Sequence, residues 1–265
     1  MEFHLRHEYA GDIDQFRSAT EGWSGADIEK LARDARRLAR HAERPEVTES
    51  DILAVMPPVV NLTDEERFRL AVHEAGHAIV GYSLRPDNLV KVTITGRRPA
   101  RTGWNQIGTT QFNEPLPFMA TAKHFQDVIA VFLAGMAAER AVFGDHFTGS
   151  GGDASADLAV ATDFATMIER SFGFGDALLT DMGSGSRPLE SLRLADPVLR
   201  KAVRQRLDAE CKRATAILMN SRRVLDLLAV RLSENLELSA EEVRDACVPG
   251  AGAKTSRNGR RRSEE

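Results

Sequence analysis

Apolar residues recur at steps of three and four from Ile28 onward: Leu31, Ala32, Ala35, Leu38 and Ala39, with Arg33, Arg36, Arg37 and Arg40 filling the other faces. That period predicts an amphipathic helix over Asp27–Ala42. Thr48 stands where an N-cap would open a short helix carrying Ile52, Leu53 and Val55, and Pro57-Pro58 stops it. Thr63 and Glu66 have the spacing of a capping box. The helix they open should run to about Leu84, before Arg85-Pro86. Val90, Val92 and Ile94 then alternate with Lys91, Thr93 and Thr95, the period of a half-buried strand. A second strand is expected at Gln106–Phe112, and a long apolar helix at Ala120–Phe143 with Gly144 to end it. A Gly-rich loop from Thr148 to Ala154 leads into a helix near Ala156–Ser171. Two or three amphipathic helices should fill Asp196–Cys247, one of them opened by a capping box at Ser239 and Glu242. Pro249–Glu265 is rich in Gly, Arg and Ser, so it is expected to be disordered. The predicted fold is mainly α with a small β-sheet.

Composition narrows the function. With 265 residues, one large domain or two smaller ones are expected. Lys plus Arg number 35 against 39 Asp plus Glu, a net charge of −4, so nucleic acid is not an expected partner. Cys211 and Cys247 form no CxxC pair, which excludes a disulfide scaffold and a thiolate zinc finger and fits a reducing, cytoplasmic setting. The longest apolar run, Val128–Ala138, is 11 residues, whereas a bilayer span needs about 20. No signal-peptide core is expected in the first ten residues.

The chemistry-bearing signal is His73-Glu74-Ala75-Gly76-His77, an H-E-x-x-H pattern inside a predicted helix. At 3.6 residues per turn, positions i and i+4 share a face, so both imidazoles can hold one zinc ion. Glu74 projects from a neighbouring angle and can serve as the general base without being a ligand. A catalytic zinc site needs a third protein ligand, and a histidine six residues beyond His77 is absent because Ser83 stands there. Glu139, Asp153, Asp157 and His146 are the candidates, and composition alone does not choose among them.

These segments, taken together, resemble a known family. His73–Ala78 (HEAGHA), Lys91–Ile94, Leu133–Glu139 (LAGMAAE), Thr148-Gly149 and Asp157–Thr162 (DLAVAT) follow the order and spacing of the FtsH-type ATP-dependent zinc metalloproteases. Upstream, Trp23–Ile28 (WSGADI) resembles the segment of their small helical AAA+ lid. The resemblance implies a lid-like module at 1–58, a helical zinc peptidase domain at 59–248 and a tail at 249–265. It implies that Asp157 is the third ligand to one Zn2+ per chain, and that Glu139 orients a histidine from behind. It also implies polypeptide substrates held as an added strand, with Gly108, Thr109 and Thr110 as the candidate edge. Gly25 and Ala26 match lid positions that help to contact adenine, but only with an ATPase core. No G-x-x-x-x-G-K-[ST] able to bind phosphate occurs, so the chain is expected to be the C-terminal part of such an enzyme and to hydrolyse no ATP alone. The family's hexameric assembly and location on the cytoplasmic face of the inner membrane are implied in the same way. The alternative is a catalytically inactive helical interaction module that retains the motif.

Other signals are discounted. Pro249–Thr255 resembles a phosphate loop but has Ala253 before its lysine and no predicted strand before it. His4 and His7 are expected to be exposed, His41 and His124 to lie on helix surfaces, and Arg260–Arg262 to be a solvated charge run.

Overall fold

Internal contacts divide the chain into two units, Met1–Thr63 with Thr95–Ile107, and Asp64–Ile94 with Gly108–Glu265. The computed structural model describes residues 16, 20, 23–56, 59–99, 107–113, 119–151, 155–176, 180 and 189–248. Gln106, Asp153, the phosphate-loop look-alike, the basic tail, His4 and His7 lie outside them.

The first unit holds α1 (Gly25–His41), α2 (Glu49–Val55), β1 (Val59–Asn61) and β3 (Arg97–Pro99). Helix α1 begins two residues before the expected start. Ser24 caps it: its hydroxyl accepts from the Asp27 N–H, and the Asp27 carboxylate accepts from the Ser24 N–H at 3.0 Å. At the second helix Thr48 donates its N–H to Asp51 at 2.8 Å, and Arg44 clamps the same carboxylate. Leu31, Ala32, Ala35 and Ala39 of α1 bury against Val47 and Ile52, as the period required. β1 and β3 pair antiparallel. His41 is exposed, as expected.

The second unit is built around α3 (Asp64–Leu84). Every residue from Leu70 to Gly81 is buried, so this helix has neighbours on all sides rather than one wet face. It packs against α4 (Ala122–Phe143), α7 (Pro197–Asn220), α8 (Arg222–Asn235) and the sheet. Gly76 explains how α4 comes so close: a Cβ there would lie 2.6 Å from the Ala138 Cβ and 2.7 Å from the Ala134 carbonyl oxygen. Helix α4 starts two residues later than expected, at the Thr121 cap, and ends at Gly144 with φ 81°, a left-handed residue as expected.

The sheet has order β4-β2-β5, all antiparallel, from β2 (Leu89–Ile94), β4 (Gly108–Phe112) and β5 (Glu237–Ser239). Two expectations are corrected here. Val90 is 40% exposed and Leu89 only 6%, because an irregularity between Leu89 and Lys91 shifts the inward phase of β2. β5 was not anticipated at all: three residues between α8 and α9 (Ala240–Cys247) show no readable alternation. β4 pairs with β2 on one side, and among the described residues no strand pairs with its other side.

A second core joins Phe125, Ile129, Leu133 and Met136 of α4 to Ala161, Ala165 and Ile168 of α5 (Asp157–Arg170) and to Leu199 and Val203 of α7. A short helix, α6 (Leu189–Ala195), precedes α7. His124 is half-buried rather than on the surface, and burial together with Arg85 holds its pKa below the usual value. Among the described residues no helix is long and apolar enough to cross a membrane.

Candidate metal centre

Helical period brings His73 and His77 onto one face of α3. Their rings lie 4.7 Å apart edge to face, and both residues are buried. Their Nε2 atoms face each other at 3.0 Å. Asp157, the first residue of α5, places Oδ2 at 3.1 Å from the His73 Nε2 and 3.2 Å from the His77 Nε2. Three donor atoms from two helices thus converge on one point.

The outer nitrogens determine what that point favours. His77 Nδ1 is 2.7 Å from the Val131 carbonyl oxygen, which can only accept, so Nδ1 carries the proton. His73 Nδ1 meets the Glu139 carboxylate in the same sense. In neutral imidazoles both Nε2 atoms then present lone pairs, toward each other and toward a carboxylate oxygen. Lone pairs so arranged repel unless a cation lies among them. A tetrahedral zinc with bonds of about 2.0–2.2 Å has ligand–ligand edges of about 3.3–3.6 Å. The spacings here are slightly shorter, so the donor set fits that ion.

Charge tells the same story. Burial would lower the His73 pKa, but Asp157 and Glu139 outweigh it and raise it to about 10. Burial also opposes protonation of His77, and Asp157 again reverses the sign. Burial would raise the Asp157 carboxyl, yet the two histidines hold it well below the usual carboxylate range. The pocket therefore prefers positive charge.

Glu139 is fully buried in α4 and uses both oxygens. Oε1 accepts from His73, and Oε2 accepts from the Phe147 N–H at 2.8 Å. Gly135, one turn earlier, supplies space: a Cβ there would lie 2.5 Å from the His73 Nε2 and 2.6 Å from the His77 Nε2. Glu74 is buried, and its Oε2 accepts from the Thr110 hydroxyl of β4 at 2.8 Å. Thr109 sits on the other face of that strand and pairs with Thr93.

Of the candidate third ligands, Asp157 joins the histidine pair and Glu139 backs it. His146 is exposed, with its Nδ1 3.4 Å from the Arg140 Nε, and takes no part. Among the described residues this is the one group of three or more such side chains able to hold a metal ion. Gly25 and Ala26 are exposed at the start of α1 in the other unit. Sequence reasoning missed Gly135, the Val131 carbonyl and the Phe147 N–H. Only Gly135 left a trace: glycine in a helix interior costs about 1 kcal/mol relative to alanine, so it needs a packing reason.

Residues 60–246 match the model of peptidase family M41, and residues 11–54 match that of the AAA+ lid domain. Similar curated proteins include an ATP-dependent zinc metalloprotease FtsH from Methylococcus capsulatus, 30% identical over 92% of this chain and 41% of the relative. FtsH 3 of Sphaerobacter thermophilus is 31% identical over 90% of this chain and 48% of its own length. FtsH 4 of Sorangium cellulosum is 31% identical over 90% and 39%, respectively. The chain thus spans about two fifths of the length of the first relatives it matches.

Proposed function

Because the chain belongs to peptidase family M41, we propose that it is a zinc-dependent endopeptidase that cleaves unfolded or flexible polypeptides. The observation that carries the reading is the meeting of His73 Nε2, His77 Nε2 and Asp157 Oδ2, with both Nδ1 atoms already committed elsewhere. These three residues would hold one zinc. The ion, when bound, supplies a Lewis acid that polarises a peptide carbonyl and makes water a stronger acid.

The rest is the chain's own work. Glu74 takes a proton from the attacking water and hands it to the departing amide nitrogen. Glu139 keeps the proton of His73 on Nδ1 and so fixes the tautomer. Strand β4 offers its unpaired side to an extended substrate. Backbone pairing of that kind reads main chain rather than side chains, which suits unfolded targets. The same reading assigns Gly25 and Ala26 to nucleotide contact and ATP use to forms joined to an ATPase core. Assembly into a hexamer and a place on the cytoplasmic side of a membrane belong to it too.

Purified chain supplied with zinc should hold one ion per chain by metal analysis and should cleave casein. A chelator should stop cleavage and added zinc restore it. Zinc binding should weaken as pH falls, since uptake displaces protons that the carboxylates hold on the histidines. A chain that takes up no zinc, or that cleaves equally well when stripped, ends the reading. Glu139→Gln should lower zinc affinity about 10–100-fold in a chelator competition, because the orienting charge behind His73 is gone. Unchanged affinity would confine Glu139 to packing.

A further inference from the structure

Strand β4 does more than flank the site. Its residues Gly108, Thr110 and Phe112 point to α3, as alternate strand positions must. A Cβ on Gly108 would lie 2.5 Å from Glu74 Oε1 and 2.9 Å from its Cδ. The Thr110 hydroxyl stands 2.8 Å from Glu74 Oε2 and 3.0 Å from the Glu74 carbonyl oxygen. The Phe112 ring covers Gly81, where a Cβ would meet it at 2.3 Å. The strand therefore follows α3 from Glu74 to Gly81 and presses its bare glycine and its one hydroxyl on this face onto the Glu74 carboxylate.

We propose that Thr110 is the positioning residue for Glu74: its hydroxyl anchors Oε2, so that Oε1, in the space left by Gly108, is the oxygen that exchanges the proton. The inference rests on the peptidase reading. Glu74 is 6% exposed, and among the described residues Thr110 is the only hydrogen-bond donor to its carboxylate. The hydroxyl has one proton and two acceptors in reach. The carboxylate oxygen is the closer of the two, so it takes the bond. The two carboxylate oxygens then cease to be equivalent. Oε2 keeps the Thr110 bond throughout. Oε1 accepts a proton from the attacking water and releases it to the leaving nitrogen, and Thr110 neither gains nor loses a proton.

A rotor held at one end need not be oriented anew in each turnover, and misplacement of a reacting group by an ångström costs up to about a hundredfold in rate. Thr110 also belongs to the strand on which an extended substrate would pair. Seating the substrate and aligning the base thus act on the same five residues, Gly108–Phe112.

The test compares cleavage of a fluorogenic unstructured peptide by the parent chain, Thr110→Val and Thr110→Ser. The valine variant keeps the branched shape and loses the hydroxyl. It should lower kcat about ten- to hundredfold with KM within about twofold, while one zinc per chain and the melting temperature stay as in the parent. The serine variant restores the hydroxyl and should recover most of kcat. Thr110→Ala gives a second removal of the hydroxyl should the valine variant not fold. Parent-like kcat in the valine or alanine variant, a serine variant as slow as valine, or a loss confined to KM would overturn the proposal. Glu74→Gln is run beside them. If it cleaves at the parent rate, Glu74 is not the base and this inference falls with that role; if the parent cleaves nothing, the peptidase reading falls and takes the inference with it. If it is inactive beside a fully active Thr110→Val, only the inference falls.

Discussion

Glu74→Gln is expected to lower kcat for casein cleavage by about a hundred- to ten-thousand-fold and to leave zinc in place. Glutamine has the same length and shape as glutamate, so the slot between Gly108 and Thr110 still accepts it. Its amide oxygen can still accept from the Thr110 hydroxyl. What it cannot do is take a proton. Nothing in the change touches His73 Nε2, His77 Nε2 or Asp157 Oδ2, so metal content by atomic absorption should match the parent. KM should move little, because the side chain is asked to act on protons rather than to hold the peptide. Full activity in this variant would remove Glu74 from the reaction.

The second large effect is expected at Asp157. Asp157→Ala leaves two imidazoles without a third ligand, and zinc affinity should fall by more than the about 10–100-fold typical of losing a group that only supports a ligand. Cleavage should fall in parallel and return in part at high zinc. A competing explanation is local: an acidic residue at the start of α5 favours the helix by about 0.3–1 kcal/mol. The two are separable. If Asp157→Ala keeps one zinc at parent affinity in a chelator titration and loses only a few degrees of melting temperature, the carboxylate serves its helix and not the metal. Asp157→Asn, similar in shape but uncharged, should behave like alanine toward zinc.

What could be read from the sequence followed the range of the interaction concerned. His73, Glu74 and His77 are neighbours within one helical turn, so the period alone put the imidazoles on one face. Glu139 and Asp157 lie 66 and 84 residues from His73, and no local rule connects them. Composition left both open beside Asp153 and His146, and the family resemblance chose between them. Their meeting depends on α3 and α4 touching at Gly76 and on α5 packing across α4, which is tertiary structure. The helices that were legible carry a periodic stripe or a capping pair; α6 (Leu189–Ala195), which buries no residue, was not among those expected. The phase of β2 was not, since one irregular residue exchanges the inward roles of Leu89 and Val90. Nor was β5, whose Ser239 was read only as a helix cap.

Glu139 spends one oxygen on His73 and the other on the Phe147 N–H, within the connection that leads to Asp157. One carboxylate therefore governs an inner ligand from one helix and the approach of a ligand from another. Lengthening that connection, or inserting a probe into it, should be felt at the imidazole before the helix bearing Asp157 is disturbed. In engineering terms, the route between the two helices is part of the tuning circuit of the ion, and spectroscopic labels are better placed elsewhere.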